Sequence, residues 1–261
     1  MTSSWRKIPF LRWSFWRFIF GVRHLSTEWQ VGDGREARLA EYVEARARRG
    51  DAADVIRVID DFGYNKSFLI NVGDEKGRIL DEAVAKAKPA RILELGTYCG
   101  YSAVRMAVSA PAAHIYSIEF NPANAAIARR ILGHAGVDGR VTVVVGTLGD
   151  GGKTIQTLRD AHAFGKGTVD LVFIDHDKDA YLADLQRILE LDWLRPGAWV
   201  VADNVKFPGA PDYRAYMAAN EGTRWHTVEH ETHVEYQSIL KDLVLVSELL
   251  APSHAAGEGI S

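Results

Sequence analysis

The sequence predicts an α/β fold: a mostly parallel, seven-stranded sheet with helices on both faces and an antiparallel C-terminal strand pair. Three observations carry this reading. Short, nearly continuous apolar runs recur at residues 91–95, 114–118, 141–145, 169–174 and 199–202, with helix-length segments between them. That is the pattern of strands buried on both faces of a parallel sheet. Two further strand-like runs, 223–230 and 239–248, follow with no helix between them, which suits an antiparallel pair closing one edge. The chain of 261 residues is 47% apolar and 25% charged, ordinary usage that excludes a disordered, collagen-like or disulfide-stapled protein.

Residues 1–24 are compositionally separate. They carry Arg6, Lys7, Arg12, Arg17 and Arg23, no acid, and seven aromatic residues. Arg12 and Arg17 interrupt the apolar stretch, so it is too short and too charged to span a bilayer, and it lacks the form of a signal peptide. Two readings compete: the aromatics pack on the body of the protein or on a second copy, or the segment lies in the headgroup plane and makes a peripheral membrane contact. The body, 25–250, opens with three expected helices at 35–49, 52–62 and 74–88, ended by Gly50, Gly63 and Pro89. Further helices are expected at about 101–109, 121–135, 149–163 and 179–192, and residues 251–261 read as a frayed tail. The lone cysteine, Cys99, cannot form an internal disulfide, so a reducing, cytoplasmic setting is the expectation. Outside residues 1–24 there are 26 basic and 34 acidic residues, a balance that argues against nucleic acid as a partner.

Two constellations carry chemistry. The first is Glu94-Leu95-Gly96-Thr97-Tyr98-Cys99-Gly100-Tyr101-Ser102, directly after the first parallel strand. Gly96 and Gly100 allow a sharp turn and close approach to a ligand before the next helix. The second strand ends in Glu119, placed to accept hydrogen bonds from ribose hydroxyls. A ribose acid without a pyrophosphate-binding glycine fingerprint favours S-adenosylmethionine (SAM) over a nicotinamide dinucleotide. The second constellation is Asp175-His176-Asp177-Lys178-Asp179 with Asp203-Asn204, each at a strand end. If those strands are neighbours, their ends lie about 5 Å apart, and two carboxylates and an amide oxygen converge. All-oxygen ligation by few protein groups suits Mg²⁺. Lys178 lies one helical turn beyond Asp175; by itself it reads as a solvated lysine. A third cluster, His226, His230 and His233 with interleaved glutamates, misses the H-E-x-x-H zinc spacing by one residue.

The segment 92–107, with Asn71-Val72-Gly73-Asp74, Lys76-Gly77, Asp175-His176, Lys178-Asp179, Ala202 to Val205, Pro208 to Asp212 and Glu235-Tyr236, resembles catechol O-methyltransferase in order and spacing over about residues 25–250. The resemblance implies a Rossmann-like, class I SAM-dependent methyltransferase fold and Mg²⁺-dependent methyl transfer from SAM to one hydroxyl of a small-molecule catechol. Carried over by position, Val72 and Ser102 hold the methionine part of SAM, and Glu94, Gly96, Tyr98 and Tyr101 shape its pocket. Glu119 binds the ribose, His176 lies against the adenosine, and Gly146 and Thr147 complete the cofactor site. Asp175, Asp203 and Asn204 ligate Mg²⁺, with Asp175 also beside the cofactor. Lys178 is the general base. Glu235 hydrogen-bonds the second hydroxyl, and Lys178, Asn204, Phe68, Ile70 and Pro208 line the substrate. The chain departs from the family at Asp177, where the family has tryptophan, and at Phe68, Ile70, Leu148 and Gly149; Asp177 is expected to put a charge beside the substrate ring and next to Lys178. The chemistry is therefore better supported than the acceptor. A metal-dependent enzyme for larger vicinal-diol aromatics such as phenylpropanoids, a non-catalytic membrane-associated SAM-binding module and a nicotinamide oxidoreductase are the alternatives; the last leaves the Asp175, Asp203 and Asn204 cluster without a role.

Overall fold

The computed structural model describes residue 30 and residues 32–251. The basic aromatic segment 1–24 and the tail beyond residue 251 lie outside the described residues. Three helices come first: α1 (Arg35–Arg46), α2 (Ala52–Asn65) and α3 (Gly73–Ala87). Alternation follows, through β1 (Arg91–Leu95), α4 (Tyr101–Ser109), β2 (His114–Glu119), α5 (Pro122–Ala135), β3 (Val141–Val145), α6 (Lys153–His162), β4 (Val169–Ile174), α7 (Tyr181–Glu190), β5 (Leu194–Ala202) and α8 (Pro211–Ala219). The antiparallel pair β6 (Trp225–His233) and β7 (Lys241–Leu249) ends the fold.

The sheet has seven strands in the order β3-β2-β1-β4-β5-β7-β6. The first five are parallel, and β7 runs antiparallel to both β5 and β6. The order reverses between β1 and β4, so their carboxyl ends form the switch point where open α/β sheets bind ligands. Leu39, Val55, Val104 and Ile131 from α1, α2, α4 and α5 pack on one face. Leu158, Leu185 and Met217 from α6, α7 and α8 pack on the other. Helices on both faces, the feature expected from near-continuous apolar strands, are thus present. Among the described residues, no helix is long and apolar enough to cross a membrane.

The element boundaries show which sequence signals were obeyed. Asn121 caps α5 by accepting from the Ala123 amide at 2.7 Å, with Pro122 in the first turn, as the Asn-Pro pair predicts. Helix α1 ends at Arg46 rather than at Gly50, whose amide instead donates to the His134 carbonyl. Left-handed Gly151 and Gly152 delay α6 to Lys153.

Gly63 does not end α2, which runs on to Asn65. The glycine provides space: a Cβ there would lie 2.6 Å from Cζ of the Tyr236 ring. Alanine gains about 1 kcal/mol in helix propensity, but overpacking a filled site costs about 1–3 kcal/mol. Gly63→Ala is therefore expected to lower stability in a urea titration. Equal or greater stability would show that the Tyr236 ring moves aside freely.

Candidate active site

The loop after β1 is held by its neighbours before any ligand is considered. The amides of Gly96 and Thr97 donate to the Ile118 carbonyl at 3.0 and 3.2 Å. Gly96 has φ 101°, and a Cβ there would lie 2.3 Å from the Asp175 carbonyl oxygen. The sequence suggests a glycine for ligand approach; the structure shows one also required by the end of β4. Tyr98, at φ 47°, donates its amide to Glu119 Oε2 at 2.7 Å and its hydroxyl to Glu36 Oε1 at 2.9 Å. Glu119 Oε1 accepts from the Asn121 amide at 2.8 Å. Burial pushes the Glu119 carboxyl up, and these backbone donors oppose it. Asn124 Nδ2 at 3.4 Å and the Thr97 amide also face this carboxylate, so its roughly four lone-pair directions are already shared among protein donors. Gly146 follows β3 and donates its amide to the Glu119 carbonyl at 2.9 Å, with Thr147 next in chain.

Below this loop, Ser102 and Ser117 both donate hydroxyls to the fully buried Glu94. Burial is the chief cause that pushes Glu94 up to about 8, against the two hydroxyl bonds. An acid raised in the fold binds a proton that the unfolded chain has released. Stability from this group is therefore present below its usual value of 4.5 and lost as pH rises to about 8. Glu94→Gln is expected to flatten that slope in urea titrations run between those limits; an unchanged slope would assign it to other groups.

The second corner is built by β4 and β5. Their register pairs Ile174 with Ala202, and the Asp203 amide donates to the Ile174 carbonyl at 3.0 Å. Asp175 and Asp203 therefore leave neighbouring strand ends, as expected. Asn204 adopts φ 54° and ψ 34°, a left-handed conformation that asparagine tolerates. Its amide nitrogen donates to Asp242 Oδ2 at 2.7 Å and Glu235 Oε1 at 3.1 Å, which turns Oδ1 away from them. Lys178 Nζ donates to Asp175 Oδ1 at 3.0 Å and to the Tyr181 hydroxyl at 2.6 Å. That hydroxyl donates in turn to the Asp203 carbonyl at 2.9 Å. Lys178, which alone reads as a solvated side chain, is tied to both strand ends.

Sequence reading missed Lys76, Asp242 and Tyr181 as members of this corner. Lys76 Nζ lies fully buried 2.8 Å from Asp203 Oδ2 and 3.2 Å from Asp242 Oδ2, and also bonds Glu235. Asp203 Oδ2 has that ammonium beside it but no aligned hydrogen-bond donor among the described residues. Burial above all pushes the carboxyls of Asp175 and Asp203 up, and the two lysines pull against it. Burial thus opposes ionising all four carboxyl groups against only two ammonium groups, and the fully ionised corner would carry excess negative charge. Among the described residues no three His, Cys, Asp or Glu side chains form a ready cage; the candidate donors are two carboxylates and one amide oxygen. Hard oxygen donors with excess negative charge fit Mg²⁺.

The remaining expected residues divide. His176 Nε2 bonds Asp184 Oδ2 at 2.9 Å, its ring stacks on Tyr181 at 5.3 Å, and its buried Nδ1 has no hydrogen-bond partner among the described residues. Val72 is buried at the start of α3, and a Cβ on the next residue, Gly73, would lie 3.3 Å from Glu235 Cβ. Tyr101 donates its hydroxyl to Asp60 at 2.6 Å, beneath α2. Phe68 is buried edge-on against Tyr236, while Ile70 is half-buried and Pro208 exposed. Asp177 is exposed and caps the turn at Lys178–Ala180 by accepting from the Asp179 amide at 3.2 Å. The histidine cluster is dispersed on β6, with His226 against Glu221 at 3.2 Å and His233 against Glu75 at 3.0 Å.

Comparison with known proteins follows the same lines. The O-methyltransferase family model matches residues 55–218. A probable O-methyltransferase of Mycobacterium tuberculosis is 59% identical over 230 residues, 88% of this chain and 98% of that protein. The catechol O-methyltransferase of Bos taurus is 39% identical over 214 residues, 82% of this chain and 76% of that protein. Among solved structures, the O-methyltransferase TomG from Streptomyces achromogenes, in complex with SAM, shares the fold with a TM-score of 0.60 at 20% identity, over 96% of this chain and 100% of that chain. Sheet order, carboxyl-edge site and sequence relatives agree, and the chain belongs to the O-methyltransferase family on the class I SAM-dependent methyltransferase fold.

Proposed function

We propose that this protein transfers the methyl group of SAM to one hydroxyl of a Mg²⁺-chelated, catechol-type small molecule. The observation that carries the reading is the corner where Asp175, bonded to Lys178, ends β4 beside Asp203 and Asn204 at the end of β5, with Glu235 against the Asn204 amide. Asp175, Asp203 and Asn204 are the residues that would hold the metal. When bound, Mg²⁺ would supply a Lewis acid that makes a chelating hydroxyl more acidic. SAM would supply the electrophilic methyl group. Lys178, in its neutral form, takes the hydroxyl proton at Nζ, and the Tyr181 hydroxyl and Asp175 aim that nitrogen. Glu235 accepts a hydrogen bond from the second hydroxyl. Glu119 accepts from the ribose, and Val72, Ser102 and the Gly96–Tyr101 loop enclose the rest of the cofactor. His176 lies against the adenosine. Holding donor and acceptor at attack distance contributes to the acceleration beside these groups.

The acceptor side favours size tolerance. Phe207 is 48% exposed and Pro208 is exposed beside the metal corner, which supports a second reading in which the acceptor is a larger vicinal-diol aromatic. Radiolabelled SAM with a simple catechol, a phenylpropanoid diol and a monophenol tests both. Vicinal diols are expected to be methylated, the monophenol not, and EDTA is expected to stop turnover until Mg²⁺ is restored. Equal rates on the monophenol, or full activity in metal-free buffer, would overturn the proposal.

A further inference from the structure

Lys76 is in the first turn of α3, a place where a lysine ordinarily reaches water. Here its side chain is fully buried and faces three carboxylates: Asp203, Glu235 and Asp242. A buried ammonium persists only when paired and hydrogen-bonded, so its neighbours are held as firmly as it is. Asp242, on β7, has both oxygens engaged. Oδ2 accepts from Lys76 at 3.2 Å and from the Asn204 amide at 2.7 Å, and Oδ1 accepts from the Phe207 amide at 2.9 Å. The Asn204 nitrogen is thereby fixed between Asp242 and Glu235. Reversing that amide would set an oxygen against two carboxylates. The Phe207 bond also pins the chain that leaves Asn204 in its left-handed conformation.

We infer that Lys76 and Asp242 are positioning residues for the metal corner: they hold the Asn204 amide with Oδ1 presented as a ligand and keep Asp203 and Glu235 in place beside it. The inference rests on the Mg²⁺ reading above. Neither residue is proposed to touch metal, cofactor or substrate. Partners that orient a metal ligand are typically worth a factor of about 10 to 100 in metal affinity.

The test is Mn²⁺ binding to the full-length protein, read by the loss of the free Mn²⁺ electron paramagnetic resonance signal, with SAM affinity measured by calorimetry. Asp242→Asn keeps the side-chain shape but removes one acceptor oxygen, so three donors compete for the one that remains. Its Mn²⁺ dissociation constant is expected to rise about 10- to 100-fold, with SAM affinity unchanged. Lys76→Met keeps the length without the charge and is expected to act in the same direction; Asp242→Asn decides the matter if Lys76→Met fails to fold. If wild type binds Mn²⁺ and Asp242→Asn binds it as tightly with the same spectrum, this inference is overturned and the proposed function stands. Parallel loss of Mn²⁺ and SAM affinity would show a merely structural role and overturn it as well. A wild type that binds no Mn²⁺ overturns the metal reading and this inference with it.

Discussion

Asp203→Ala is expected to remove methyl transfer while SAM still binds. Asp203 is fully buried at the end of β5, and its carboxylate is one of three oxygen groups proposed to hold Mg²⁺. A metal acting as Lewis acid supplies several kcal/mol of charge stabilisation, and about 4 kcal/mol corresponds to about a thousandfold in rate. The proposed cofactor contacts, Glu119, Ser102 and the loop after β1, lie at the ends of β1 and β2 and the start of α4, so calorimetric SAM affinity should stay within a factor of about two. Removing the carboxylate also deprives Lys76 of a partner at 2.8 Å. Asp203→Asn, which preserves packing, separates a folding defect from a lost ligand: it should fold and still lose most of the activity. Wild-type turnover in Asp203→Asn, with EDTA present, would remove the metal from the mechanism.

Lys178→Ala carries the second large effect. Loss of a general base typically costs a factor of about 10² to 10⁴, so kcat should fall by at least the lower figure. Lys178→Arg should not restore it, because a guanidinium stays protonated at working pH. Lys178 also bonds Asp175 at 3.0 Å, so its removal could act through the metal ligand instead. The Mg²⁺ concentration for half-maximal activity distinguishes the two: it is expected to be little changed in Lys178→Ala if the lysine works on the proton. A Mg²⁺ requirement shifted in step with kcat would make Lys178 a positioning residue for Asp175, and near-normal kcat would leave substrate ionisation to the metal alone.

What the sequence by itself determined was the sheet, the order of its elements and the identity of most candidate site residues. These are local properties. Apolar runs of five or six residues report burial on both faces of a strand, and a motif such as Asp203-Asn204 marks a strand end wherever that strand is placed. The parallel pairing of β4 with β5 then brings Asp175 and Asp203 together. What only the tertiary structure decided was how polar side chains are shared. Lys76 meets Glu235 across 159 residues and Asp242 across 166, and no spacing rule distinguishes such a lysine from a solvated one. Gly63 reads locally as a helix stop, yet a tyrosine ring from far along the chain accounts for it. Asp177 also serves a purpose its charge does not announce, accepting from the Asp179 amide to cap a turn. Periodicity records how each segment meets the core. The burial and partners of a single charged group depend on several distant segments at once, and that information exists only when they are assembled.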